Sequence, residues 1–165
     1  MNVISNMAKP KITENFEFEE TGMKLKKYID RIFGRSLAIR ELDSGSDNAA
    51  EIELVNLTAP HYDVERFGIS FAASPRHADV LLVTGAVTRN MEIAAKKTYD
   101  AMPSPKFVIA VGDDACDGGI FKGSYAVLGG ADKIFAVDVK IPGNPPSPAE
   151  ILRGLLELMK KIREQ

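Results

Sequence analysis

The chain carries one cysteine, Cys116, no tryptophan, and two histidines, His61 and His77. A lone thiol excludes an internal disulfide and a zinc site built on cysteines. The histidines lie far apart and lack the short spacing of a metal pair, so both are read as surface or interface residues. An excess of positive charge is also missing. Lysine and arginine number 21 against 23 aspartate and glutamate, for a formal net charge of -2. The field that drives non-specific binding to nucleic acid is therefore absent, and no nucleic-acid partner is expected. No apolar run has the length of a membrane span and none has the layout of a secretion signal. The expectation is a soluble intracellular protein, or one peripheral to something else. With 165 residues, 45% of them hydrophobic, the chain has the material for one ordinary core and so for one domain.

Residues 1–21 are polar, mixed in charge and aperiodic, which reads as an extended N-terminal arm preceding a single α/β domain over 22–165. From Met23 to Phe33 apolar residues recur at helical spacing among lysines and arginines, the pattern of an amphipathic helix that packs on the core, on a partner or on a membrane surface. The chain then alternates. Strands are expected at Ser36 to Leu42, Ile69 to Ala73, Asp79 to Thr84, Lys106 to Val111 and Ile134 to Val139. Helices are expected at Asn48 to Leu57, Arg89 to Met102 and Pro148 to Arg163. The runs DVLLVT and KFVIAV are apolar throughout, as in strands buried on both faces. Such alternation implies a three-layer α/β fold, a mostly parallel sheet with helices on both faces, of the flavodoxin-like kind.

Ligands of open parallel sheets sit beyond the carboxyl ends of the strands. Three loops there are rich in glycine, proline or small residues: SGSDNAAE (from Ser44), VGDDACDGG (from Val111) and IPGNPPSP (from Ile141). Each has a plain structural reading. Asn48 with Glu51 fits a capping box, Asp47 suits a helix N-terminus, Gly118 and Gly119 suit a turn, and the prolines suit a strand-to-helix junction. Their convergence on one sheet edge is what singles them out as a site.

The stretches YDVERFG (Tyr62 to Gly68), SPRHADVLLVTGAVT (Ser74 to Thr88), YDAMPSPKFVIAVG (Tyr99 to Gly112), GGIFKGSY (Gly118 to Tyr125) and VDVKIPGNPPSP (Val137 to Pro148) carry a resemblance. In their order and spacing the chain, from about Ser36 to Ile162, resembles the small, cluster-bearing subunit of energy-converting membrane-bound [NiFe] hydrogenases and the 20 kDa subunit of respiratory complex I, an NADH-quinone oxidoreductase. That family binds one [4Fe-4S] cluster. In its hydrogenase-like branch the ligand loops read Gly-Ser/Gly-Cys-Asn-x-Cys-x-Ile-Glu, Val-Gly-x-Cys and Pro-Gly-Cys-Pro-Pro. The four ligand positions fall here on Asp47, Ala50, Asp114 and Asn144. The adjacent cysteines used by complex I would fall on Ala49 and Ala50. No position holds a thiol, while the surrounding Gly, Pro, Asn48 and Glu53 match the pattern.

The resemblance therefore implies a clusterless, non-catalytic subunit of an oxidoreductase complex of the electron-transport kind, with no cofactor of its own. It implies a large-subunit homologue as partner, contacted through Arg66, Phe67, Arg76 and His77, and an apolar patch exposed around Phe67, Ile69 and Phe71. It also implies a cytoplasmic location, peripheral to the inner face of the cell membrane through the complex, with no span of its own. Two alternatives stay open. One is an electron-transfer subunit with a rearranged iron-sulfur cluster held by Cys116 and a partner chain. The other is a divalent-cation site in which Asp47, Asp113, Asp114, Asp117 and the Asn144 amide bind Mg²⁺ or Ca²⁺. Since one thiolate does not replace four, anaerobic reconstitution of the purified protein should give no stoichiometric iron or acid-labile sulfide. Recovery of about four irons per chain would contradict this.

Overall fold

The structure, a computed structural model, describes residues 16–164. A helix α1 (Phe16–Phe33) leads into strand β1 (Leu37–Asp43), helix α2 (Ala49–Thr58), strand β2 (Ile69–Phe71), strand β3 (Val80–Thr84), a short strand β4 (Val87–Thr88) and helix α3 (Glu92–Asp100). Strand β5 (Phe107–Val111), the one-turn helix α4 (Asp113–Asp117), strands β6 (Val127–Gly129) and β7 (Val139–Ile141), and helix α5 (Pro148–Glu164) complete the order. Five strands form one sheet in the order β2-β1-β3-β5-β7, and every neighbouring pair is parallel. The fold is α/β, with the flavodoxin-like strand order. Strands β4 and β6 pair apart from it, antiparallel.

The period-two alternation of the strands divides the core into two layers. Leu37, Ile39, Val80, Leu82, Ile109, Val111, Val139 and Ile141 face one side, where α1, α2 and α5 supply Leu25, Ile29, Leu54, Leu57, Ile151, Leu155 and Met159. Leu81, Val83, Val108 and Ala110 face the other side and pack with Ala95, Met102, Ala115, Cys116 and Phe135. Because both faces are covered, β3 is apolar at nearly every position and buried throughout.

The first helix corrects the expected arm. It begins at Phe16, not Met23, so residues 16–21 are helical; residues 1–15 lie outside the described part. Phe18 is buried, with ring centroids 5.1 Å from Tyr62 and 5.9 Å from Phe67. A Cβ on Gly22 would collide with the Phe67 ring, so glycine is what lets the helix lie flat on that side chain. This contact also corrects the expected patch. Phe67 is 1% and Ile69 2% exposed, and Phe71 packs partly buried against the same cluster. The apolar residues read as a partner surface are covered by the segment read as an arm.

A second correction concerns Ile134 to Val139, which is not a strand. The last strand starts at Val139 and runs to Ile141. Before it, residues 131–133 make a single 3₁₀ turn, and Phe135 packs on Tyr99 at 5.3 Å between centroids in the layer beneath the sheet. Asp138 then feeds the strand in: its carboxylate accepts the Val108 N–H at 2.7 Å and its own N–H donates to the Val108 carbonyl at 2.9 Å.

The amino edge of the sheet is tied by Asp79, which is buried and held by both Arg35 guanidinium nitrogens at 2.6 and 2.8 Å and by the Ala38 N–H at 3.0 Å. The reciprocal capping box lies at the start of α5. Ser147 N–H and Oγ both donate to Glu150 Oε2 at 2.7 Å, the Glu150 N–H reaches Ser147 Oγ at 3.4 Å, and Pro148 takes the first helical position.

Replacing Phe18 with alanine empties a site enclosed by aromatic rings, and large-to-small changes of this kind cost about 3–5 kcal/mol. F18A should be destabilised by that order in chemical denaturation. A loss within about 0.5 kcal/mol, the ordinary surface range, would place the first two turns of α1 outside the core.

Candidate functional site: the converging loops at the carboxyl edge

Register places the candidate residues together. Asp43 lies opposite Thr84, Thr84 opposite Val111, and Val111 opposite Ile141, so four strands end in one row. The loops leaving that row carry Asp47, Gly85, Asp114 and Asn144, at the point where the connections from β1 and β3 run to opposite sides of the sheet, the usual ligand position of this topology.

Two of the loops are stitched by Ser44, which is fully buried. Its Oγ lies 2.9 Å from each of the Thr84 and Gly85 carbonyls, its N–H donates to the Thr84 carbonyl at 3.0 Å, and its own carbonyl accepts from both the N–H and the Oγ–H of Thr88 at 3.0 Å. Gly85 has φ 70, and a Cβ there would meet the Ser46 backbone, so only glycine permits the crossing. The other two loops are joined through Asp113, whose Oδ1 accepts the Gly143 N–H at 2.8 Å while its own N–H donates to the Gly143 carbonyl at 2.9 Å.

Asp47, Ala50, Asp114 and Asn144, the four positions that the resemblance assigns to cluster ligands, line a single cavity together with Gly85, Gly112 and Pro145. It measures about 10 Å³, room for one water at most. An adjoining open groove of about 510 Å³ runs past Asp113, Asp114, Asp117, Ile120 and Asn144. Asp47 Oδ1 accepts the Ala49 N–H at 2.9 Å at the start of α2. The expected capping box of Asn48 and Glu51 is not formed. Asn48 adopts a left-handed conformation, φ 70, and makes no side-chain cap, and both Glu51 carboxylate oxygens are buried without a hydrogen-bond partner. With Asn48 turned out of the cap geometry, the neighbouring Asp47 supplies the local acceptor.

Asp114 is the electrostatic anomaly. It is 8% exposed and its Oδ1 makes no hydrogen bond. Burial raises its carboxyl above the ordinary range, and the charges of Asp47, Asp113 and Asp117 add to the effect against the opposing Ile120 N–H. Cys116 is likewise buried, its Sγ 3.7 Å from the Ala110 carbonyl, and burial pushes its thiol up to about 11. That makes it a protonated core thiol rather than a ready thiolate. Among the described residues no group of three or more His, Cys, Asp or Glu side chains could hold a metal ion. The acidic loop is internally engaged: Asp113 on Gly143, and Asp117 on the Gly119 N–H at 3.0 Å and Lys122 at 3.1 Å.

Of the four residues expected at a partner interface, Phe67 is core, as above. Arg66 is exposed but engaged within the chain, pairing with Glu19 and standing over the Phe67 ring at 4.7 Å. Arg76 and His77 are exposed on a single 3₁₀ turn. The exposed large apolar residues lie elsewhere: Met23 on α1, Ile52 at 54% and Val55 at 66% on α2, Ile93 at 67% on α3, and Ile120, Phe121 and Tyr125 on the loop after α4. The signal for α2 was in the sequence. In AAEIELVNLT apolar residues fall on every side of the helix among Glu51, Glu53 and Asn56, which a helix covered on one face only does not need.

The chain belongs to the NADH ubiquinone oxidoreductase 20 kDa subunit family, whose sequence model matches residues 48–158. The chain is similar to an uncharacterized protein of Methanocaldococcus jannaschii, 46% identical over 127 residues that span 77% of this chain and 85% of the relative. In structure it is similar to a chain of the membrane-bound sulfane sulfur reductase, an archaeal respiratory membrane complex, with a TM-score of 0.71 and 34% identity over 86% of this chain and 76% of that one. A chain of the [NiFeSe] hydrogenase of Desulfovibrio vulgaris Hildenborough shares the fold, with a TM-score of 0.57 and 20% identity over 80% of this chain and 62% of that one. No helix among the described residues is long and apolar enough to cross a membrane.

The residues present do not fit the cluster of the wider family. A [4Fe-4S] cluster takes four thiolates, and the four positions offer two carboxylates, a methyl group and an amide around a cavity of about 10 Å³. The Asp114 carboxylate itself has a measurable consequence. A carboxyl whose folded pKa is raised above its unfolded value binds its proton more tightly in the native state. Stability then falls as pH rises from the unfolded value through the folded one, and the penalty is complete above it. The isosteric D114N removes the titration. Its melting temperature relative to wild type should therefore climb as pH rises above the ordinary aspartate pKa. A difference independent of pH would show that Asp114 titrates normally.

Proposed function

We propose that this chain is a clusterless subunit of a membrane-bound hydrogenase-like or complex I-like assembly, which docks on a large-subunit homologue through the carboxyl edge of its sheet and carries no electrons itself. The observation that supports the reading is a loop frame that holds together by itself around a donor set without thiols. Ser44, Gly85, Asp113 and Gly143 tie the loops through hydrogen bonds and close backbone approach, while Asp47, Ala50, Asp114 and Asn144, the positions that the resemblance assigns to cluster ligands, line one cavity.

Docking through this edge is favoured by α2. The helix leaves the first of the converging loops and turns Ile52 and Val55 outward, beside an open cavity of about 450 Å³ between α2, β1 and the end of β2 that is lined by Leu54, Val55 and Phe71 together with Arg40, Glu41 and Glu65. Two large exposed aliphatic side chains on a ten-residue helix mark a surface that a partner desolvates. In this reading the protein is an assembly or spacer element. The buried thiol of Cys116 and the occupied carboxylates weigh against a rearranged cluster and against a resident divalent ion.

The test is co-purification of the complex from the native source or from co-expression with its large-subunit homologue. The double variant I52E/V55E should melt within a few degrees of wild type, because both positions are exposed, and should lose the large subunit from the purified complex. Retention of the large subunit by a folded I52E/V55E protein would move the interface off this edge.

A further inference from the structure

We propose that an extended segment of the large-subunit partner adds to the sheet along the free flank of β1, pairing with the main chain of Glu41 and Asp43 and placing an aliphatic side chain in the cavity between α2 and the end of β2. The proposal rests on the subunit reading above and deepens it by stating how the partner is held.

Strand parity fixes which main-chain groups face outward. In β1 and just past its end the even residues bond toward β3: the Ala38 carbonyl accepts the Asp79 N–H at 2.8 Å, and the Ser44 N–H donates to the Thr84 carbonyl at 3.0 Å. The odd residues bond toward β2. There the Leu37 N–H donates to the Gly68 carbonyl and the Ile39 carbonyl accepts the Ala72 N–H, each at 2.8 Å. β2 stops early, however. Its last register pair is Phe71 with Ile39, whereas the pairing of β1 with β3 continues to Asp43. Past Phe71 the Ala73 carbonyl accepts from Arg40 Nη1 at 2.8 Å, and the chain leaves the ladder there. The N–H and C=O groups of Glu41 and Asp43 therefore point to a flank without a strand, and no main-chain bond from the described residues reaches them on that side.

The cavity of about 450 Å³ lies on this same flank, lined by Glu41, by Leu54, Val55 and Thr58 of α2, by Phe71 and by Glu65. A free strand edge supplies main-chain bonds and a neighbouring pocket takes alternate side chains of the added segment, the two parts of recognition by strand addition. Val55, 66% exposed, belongs both to this cavity and to the outward face of α2, so the two surfaces are continuous. Charge decides between a foreign segment and a second copy of this chain. Two copies paired through this flank would set Glu41 and Asp43 against the same residues of the other, and like charges facing each other across a ladder destabilise it. Burial already raises the Glu41 carboxyl above its ordinary range, with the like charge of Glu51 adding to the effect and Arg40 opposing it. A segment that carries a lysine or arginine beside its aliphatic anchor relieves that repulsion; a copy of this chain adds to it.

The experiment uses the full chain and its large-subunit homologue. Affinity is measured for wild type, for Thr58→Trp, which fills the cavity from an exposed position, and for Glu41→Pro, which removes one outward N–H and no bond to β3. Each variant should bind at least about tenfold more weakly, through loss of the anchor site in the first and of a main-chain bond in the second. Melting temperatures of the free variants report that they fold, and T58W decides alone where E41P does not. In the wild-type complex, amide hydrogen exchange at Glu41 and Asp43 should slow at least about tenfold relative to the free chain. A benzophenone amino acid at the Glu65 position should cross-link to a segment of the large subunit. Capture of a second copy of this chain, or of its own residues 1–15, would overturn the proposal. Wild-type affinity in T58W, or unchanged exchange at Glu41 and Asp43 in the complex, would also overturn it while leaving the subunit reading intact. A wild-type chain that does not bind the large subunit would overturn both.

Discussion

Everything at the carboxyl edge depends on Ser44. The row of strand ends at Asp43, Thr84, Val111 and Ile141 is fixed by the parallel ladders, but ladders stop where the loops begin, and loops with no cross-link drift apart. Ser44 prevents that by spending its hydroxyl on two carbonyls of the β3 loop and its own carbonyl on Thr88. Asp113 does the same between the second and third loops, through the paired bonds to Gly143. A cluster bound by four thiolates would cross-link these loops covalently. Here backbone and short side chains perform that task, so the loops hold their places without thiol ligands.

Much of this was legible in the sequence, and the parts that were not have identifiable causes. β3 and β5 are doubly buried, so their composition is apolar without interruption and their limits follow from it. The convergence of the loops that carry Asp47, Asp114 and Asn144 followed from the rule that parallel sheets bind at their carboxyl ends, and the choice of those positions within the loops came from the family resemblance. Ile134 to Val139 misled because a run of apolar residues signals burial and not strand geometry; Phe135 is buried against Tyr99 below the sheet rather than within it. The capping box was placed at Asn48 when the Ser147 to Glu150 spacing was the better instance, with a proline following the serine. Asn tolerates the left-handed conformation that Asn48 adopts, and that conformation removes its side chain from the cap.

The misplaced arm and the misplaced patch are a single error. Residues 16–21 are rich in glutamate and include only two phenylalanines, too few for a periodic signal, so the segment looked solvated. Phe67 and Ile69, deprived of that cover, then looked like a surface awaiting a partner. One tertiary contact, Phe18 on Phe67 across Gly22, resolves both, and no reading of either segment alone contains it. Exposed apolar side chains remain on α2 and on the loop after α4, as well as at Met23 and Ile93. The first turn of α2 lines the closed cavity, and the loop after α4 lines the adjoining groove.

The burial of Cys116 has a practical consequence for tracing that surface. Its sulfur is inside the lower core and its thiol is held protonated at neutral pH, which leaves the native chain close to inert toward maleimides and iodoacetamides. A cysteine placed at Tyr125, 92% exposed, would then be the sole reactive thiol in the folded protein. Spin labels, photo-crosslinkers or fluorophores could be attached there without first deleting the natural residue, and distances to whatever lies across the loop could be read in the intact assembly.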